Sequence, residues 1–300
     1  MFRFKQFISE GGAFQLGPIV DRKRTGPKAA PFESSLRGET IPVVTNFLSS
    51  LSDEVKKQHG VEIFGQNKQA LHNREAFKTG STEYFMDPKI PHQKYTAGIK
   101  KTGDVDALID GRHKEKVEQT LNSLTGKNVG GVKFVGWGKG ADESHILLQH
   151  PMHPHPLQID LNHVEYENHN PTRGAQFARS GGSFEDRSRG IKGSHHKMLL
   201  SLVAKAKNLR WGPRGLKERD AEPSAEGDKT PESVSTKLYG AAHEGIHSFT
   251  GNVGLIANHI PKEHHQEIVD GFRHSLEKEK ESNPEQHPAM IALKRGLDIA

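Results

Sequence analysis

Asp104 and Asp106, separated by one valine in "TGDVDALID", are residues whose type and spacing imply chemistry. In an extended strand, residues two apart point to one face. Both carboxylates would then stand together, with Val105 turned into a core. Bare like charges so close repel and raise one pKa. A divalent cation removes the conflict, and Mg²⁺ prefers a few carboxylates plus substrate phosphates. A two-metal clamp needs a third acid. "LQIDLNHV" supplies Asp160, a lone acid in an alternating apolar segment, where burial without a partner would be costly. Upstream, "FKTGSTEYF" sets Gly80 and Ser81 at a sharp turn whose backbone N–H groups and hydroxyl suit phosphate.

Other residue groups offer further chemistry. "RSRGIKGSHHK" contains Arg187, Arg189, Lys192, His195, His196 and Lys197. Lys192 and Lys197 lie on or beside the start of a predicted helix, where the dipole also favours anions. Lys100 and Lys101 precede the carboxylates. "HEGIH" at 243–247 matches H-E-x-x-H and opens an alternative: zinc hydrolysis with His243 and His247 as ligands and Glu244 as base. Against it, Gly245 weakens the helix by about 1 kcal/mol relative to Ala. The chain also has 19 His, so chance pairs are common. Glu263 and Glu267 are the candidate third ligands, with nothing to single out either. "HPMHPHP", with His150, His153 and His155, reads as a proline-spaced loop.

The elements that must position these residues follow from periodicity and punctuation. Val43, Val44, Phe47, Leu48, Leu51 and Val55 have helical spacing, with Gly60 as C-cap. A strand is expected around Val105 to Ile109. An amphipathic helix follows through Val117, Leu121 and Leu124, then strands in "GGVKFVGWG", "SHILLQH" and "LQIDLNHVEY". A helix is expected from about Gly193. The predicted class is α+β: a small mixed sheet backed by helices, with a helical C-terminal region. The expected layout is a flexible arm over 11–40, a catalytic domain over 41–211, a loop over 212–235 and helices over 236–300.

The order Gly80-Ser81, then Asp104-x-Asp106, then Asp160 resembles the DNA polymerase beta-type nucleotidyltransferase superfamily. The resemblance covers about residues 60 to 200. It implies a nucleotidyltransferase-like sheet and a triphosphate held at Gly80 and Ser81, with Lys192 and Lys197 completing that site. It also implies Mg²⁺ or Mn²⁺ on Asp104, Asp106 and Asp160, and transfer of a nucleoside monophosphate to an acceptor: RNA, protein or a small molecule. One departure is the long segment "TEYFMDPKIPHQKYTAGIKKTG" between turn and carboxylates; Asp87 within it reads as a loop acid.

Composition sets the remaining bounds. The chain has 300 residues, 33% hydrophobic, with no Cys, which excludes disulfides and thiolate zinc sites. Net charge is +5, compatible with a polyanionic partner. No apolar run approaches the roughly 20 residues that span a bilayer, so no membrane partner is expected. The amino terminus, "MFRFKQFISE" before "GGAF", resembles the capsid-targeting peptides of internal head proteins of T-even-like phages. That implies removal of residues 1–10 by a prohead protease, phage head proteins as partners, and a place in the host cytoplasm or the virion head. A non-catalytic basic virion protein is the other alternative.

Overall fold

The structure is a computed structural model that describes residues 14–17, 19–20, 23–172, 175–176, 182–206, 209–212, 215–218, 249–259, 261–279 and 283–299. The proposed targeting peptide and "HEGIH" lie outside the described residues. The chain divides into two compact units, Met1–Gln176 and Phe177–Ala300. The boundary therefore precedes the helix carrying Lys197, which the sequence reading had grouped with the carboxylates.

In the first unit, the segment expected as a flexible arm carries short paired elements. Strand β1 (Ile19–Val20) pairs with β2 (Lys23–Arg24), Gln15 bridges to Lys28, and β3 (Phe32–Glu33) pairs with β4 (Lys101–Thr102). Buried Ala29 and Phe32 anchor it.

Helix α1 (Arg37–His59) buries all six apolar residues predicted for it. Gly60 closes it in the left-handed conformation (φ 68°), its N–H donating to the Lys56 carbonyl at 2.8 Å. The helix starts earlier than expected because Arg37 is anchored. Its guanidinium is buried, lies 4.8 Å from the centre of the Tyr95 ring, and donates to the carbonyls of Phe85, Ile90 and Asp87 at 2.6, 2.8 and 2.7 Å. That one side chain holds the long segment after the Gly-Ser turn against α1. Helix α2 (Gln69–His72) precedes the turn, and the segment itself carries α3 (Thr82–Met86) and α4 (His92–Gly98).

The sheet follows: β5 (Val105–Asp110), α5 (Lys114–Leu124), β6 (Asn128–Val129), β7 (Val132–Lys139), β8 (Glu143–Leu148) and β9 (Leu157–Val164). The strand order is β5-β9-β8-β7-β6, with β5 parallel to β9 and the other pairs antiparallel. Helices α1 and α5 back one face. Phe47 meets Phe134 there with ring centres 5.6 Å apart, and Trp137 and Lys139 bond to Asn122 and Glu118 of α5. Strand alternation sends Val105, Ala107, Ile159 and Leu161 to that apolar face. It sends Asp106, Asp160 and their even-numbered neighbours to the opposite one.

The second unit contains α6 (Phe184–Ser188), α7 (Gly193–Ala206), α8 (Phe249–His259), α9 (His265–Lys278) and α10 (Pro288–Gly296). Its core gathers Leu199, Val203, Phe249, Phe272, Met290 and Leu293. Leu209–Gly212 and Gly215–Glu218 form a hairpin at the start of the stretch expected as a loop. The class is α+β: a mixed five-stranded sheet backed by helices and a helical C-terminal region. Among the described residues no helix is long and apolar enough to cross a membrane.

Candidate functional site

Asp106 and Asp160 are direct partners across the parallel β5–β9 ladder. Paired residues in a ladder present side chains to the same face, so two carboxylates become lateral neighbours, an arrangement that costs a sheet stability. Asp104 precedes β5 by one residue and shares the parity of Asp106.

The Gly-Ser turn lies against this pair. Gly80 has φ 50°, and a Cβ added to it would stand 2.8 Å from Oδ2 of Asp106. Thr82, two residues on, accepts the Asp106 backbone N–H at 2.7 Å. The turn and the strand are thus fastened at Asp106 itself, and the long intervening segment folds away beneath Arg37. Ser81 precedes α3, whose five residues are too few to offer phosphate an appreciable dipole. What the turn provides is the close approach of its backbone to Asp106.

Polar neighbours orient each carboxylate. Asn162 Nδ2 donates to Asp106 Oδ1 at 3.1 Å. Gln158 Nε2 donates to Asp160 Oδ1 at 2.9 Å, and His145 Nδ1 bonds to the same oxygen at 2.8 Å. His145 Nε2 lies 3.5 Å from Glu143. Desolvation alone would lower the His145 pKa. The bond to Asp160 and the charges of Asp160, Glu143 and Asp104 outweigh it, and the net shift is upward from 6.5.

An all-oxygen set of three acids on one face suits a hard divalent cation. Among the described residues no group of three or more His, Asp or Glu side chains is arranged to hold a metal ion as it stands. Asp160 is turned toward Gln158 and His145, donors that take the lone pairs a cation would use. The residue types fit the metal; ligation requires Asp160 to exchange those donors.

No match to this chain was found among protein families, curated proteins or solved structures.

The remaining expected residues fall elsewhere. Lys192 and Lys197 belong to the second unit, Lys192 preceding α7 and Lys197 within it. His195 and His196 are buried there, with Glu279 and Asp186 at 3.6 and 3.4 Å, so they belong to the interior of that unit. His150 is in a turn with both ring nitrogens engaged, by Thr40 Oγ1 at 3.0 Å and the Met152 N–H at 3.1 Å, as the loop reading of "HPMHPHP" expected. Glu263 and Glu267 are exposed. Sequence reasoning missed Gln158, Asn162 and His145. The first two were available in "LQIDLN", where polar residues recur every second position around Asp160.

Proposed function

We propose that the first unit is a Mg²⁺-dependent nucleotidyltransferase that moves a nucleoside monophosphate from a nucleoside triphosphate to an acceptor. The observation that carries this is the register of Asp106 beside Asp160, with the Gly80 backbone against Asp106. Mg²⁺ or Mn²⁺, held by Asp104, Asp106 and Asp160, would offset charge on the attacking and leaving oxygens.

The chain's own residues do the rest. The glycine at position 80 leaves room for a phosphate group near Asp106, and Ser81 offers a hydroxyl beside it. Asp160 takes the proton of the acceptor hydroxyl as its oxygen bonds to the α-phosphorus. The bond from that phosphorus to the bridging oxygen breaks, and pyrophosphate leaves. Before a cation binds, His145 and Gln158 orient Asp160, and they are the donors that a cation or acceptor would replace. RNA, a protein or a small molecule carrying a hydroxyl would serve as acceptor.

The test is incubation with α-labelled nucleoside triphosphates, Mg²⁺ and a total host extract. Label should pass to a discrete acceptor, and Asp104→Ala and Asp106→Ala should each abolish the transfer. Wild-type labelling by either variant would overturn the assignment.

A further inference from the structure

The row that begins at Asp106 continues across the sheet. Asp160 pairs with His145, and His145 pairs with Gly138 on β7. Gly136, two residues back, shares the parity of Gly138 toward the polar face, so β7 presents a floor without side chains there. Neither glycine has a positive φ, so the backbone does not require them. What requires them is the approach of residues 14 to 17. A Cβ on Gly138 would stand 2.1 Å from Cζ of Phe14, and one on Gly136 would stand 2.7 Å from Cδ1 of Leu16.

Phe14 is held there by three kinds of contact. Its ring lies on the bare strand. It stacks on the His145 imidazole, with centres 5.0 Å apart and planes 25° from parallel. Its backbone N–H donates to Gln158 Oε1 at 2.7 Å, and that same carboxamide donates to Asp160. The seat therefore has a flat floor, one aromatic wall and one amide acceptor at its edge, and it lies one strand from Asp160. Phe14 satisfies it with a ring and an adjacent N–H. A nucleobase carries both features in one group.

We propose that this seat, formed by Gly138, His145 and Gln158, binds the nucleobase of the acceptor, and that Phe14 occupies it in cis until the acceptor displaces it. The inference rests on the transferase reading for the word acceptor, but the seat itself needs no metal. Binding then competes with an intramolecular ring. A seat closed about nine-tenths of the time weakens apparent affinity about tenfold.

The experiment uses the full chain and 2-aminopurine riboside, with binding read by fluorescence in EDTA. Phe14→Ala should bind the probe about tenfold more tightly than wild type. Adding Gly138→Leu should remove that gain, because the leucine fills the floor. Thermal melts check that each variant folds; if the leucine variant does not, Gly138→Ala carries the same expectation with a smaller loss. Equal binding by wild type and Phe14→Ala, or a gain untouched by the Gly138 substitution, overturns the seat. Because the titration contains no divalent metal, a failed transfer assay with intact probe binding would count against the transferase alone.

Discussion

The two units differ in what stands beside their least exposed acids. In the helical unit each is placed beside a histidine: Glu279 by His195 and Asp186 by His196. Asp186 also accepts the Phe249 N–H at 2.7 Å, so it ties α6 to both α7 and α8. In the sheet unit Asp160 also has a histidine, His145 at 2.8 Å, and Asp110 and Glu118 pair with Arg112 and Lys139, but the register in addition sets Asp160 beside a second carboxylate, Asp106. An imidazole beside a carboxylate supports a fold. Like charges brought together by a ladder weaken it, and such an arrangement persists where charge on a ligand or transition state is to be met. What distinguishes Asp160 from Asp186 is therefore the second carboxylate in register with it, since both acids have a histidine neighbour.

The largest effect that would break this contrast is at Asp106. Asp106→Ala should reduce nucleotidyl transfer on the order of 10³-fold. Measured in EDTA, its melting temperature should equal or exceed that of wild type, since a like-charge neighbour is gone. A variant that lost stability with activity would mean that Asp106 is a structural acid like Asp186.

Asp186→Ala should behave in the reverse manner. It removes the carboxylate beside buried His196 and the acceptor of the Phe249 N–H, and leaving that buried donor unsatisfied should cost about 1–3 kcal/mol in urea unfolding. Acid should reproduce part of this loss. Burial alone would raise the Asp186 pKa, but His196, the Phe249 N–H and Ser183 together lower it below 3.8. Glu279 is lowered below 4.5, chiefly by its bond to His195. A depressed folded-state pKa contributes stability that is present above the unfolded value and is lost as pH falls through the folded one. Unfolding free energy should therefore drop as pH falls below about 4.5, with a smaller slope in Asp186→Ala. An unchanged slope would detach the histidine pairs from acid stability.

Legibility in the sequence followed the range of the interaction. Helix α1 was readable because its apolar residues recur locally and Gly60 marks its end. The acids were readable because strand alternation is a local rule. The start of α1 was not: Pro42 resembles a first helical residue, while the true start depends on Arg37 reaching carbonyls some fifty positions away, at Phe85, Ile90 and Asp87. The seat of Phe14 was not readable either. Its bond to Gln158 spans 144 positions, and two glycines in "FVGWGK" have the same appearance whether they make a bulge, a bend or a floor. The division into two compact units after Gln176 was not legible for a related reason. Helix α7 follows the sheet closely in sequence, but its apolar face packs with α8 and α9 of its own unit.

The smallest expected effect sharpens the contrast most, because the molecule contains its own control. Gly60 and Gly80 both have left-handed backbones, φ 68° and 50°. A Cβ at Gly60 meets nothing within 4 Å, whereas at Gly80 it meets Asp106 Oδ2. Gly60→Ala therefore measures backbone strain alone, about 1 kcal/mol. Gly80→Ala carries the same strain and in addition must push the carboxylate aside. Gly80→Ala should lose at least as much stability in urea as Gly60→Ala, while only Gly80→Ala slows nucleotidyl transfer. Loss of transfer in both would trace the effect to general destabilisation. Loss in neither would remove the Gly-Ser turn from the site and leave the carboxylates to act without it.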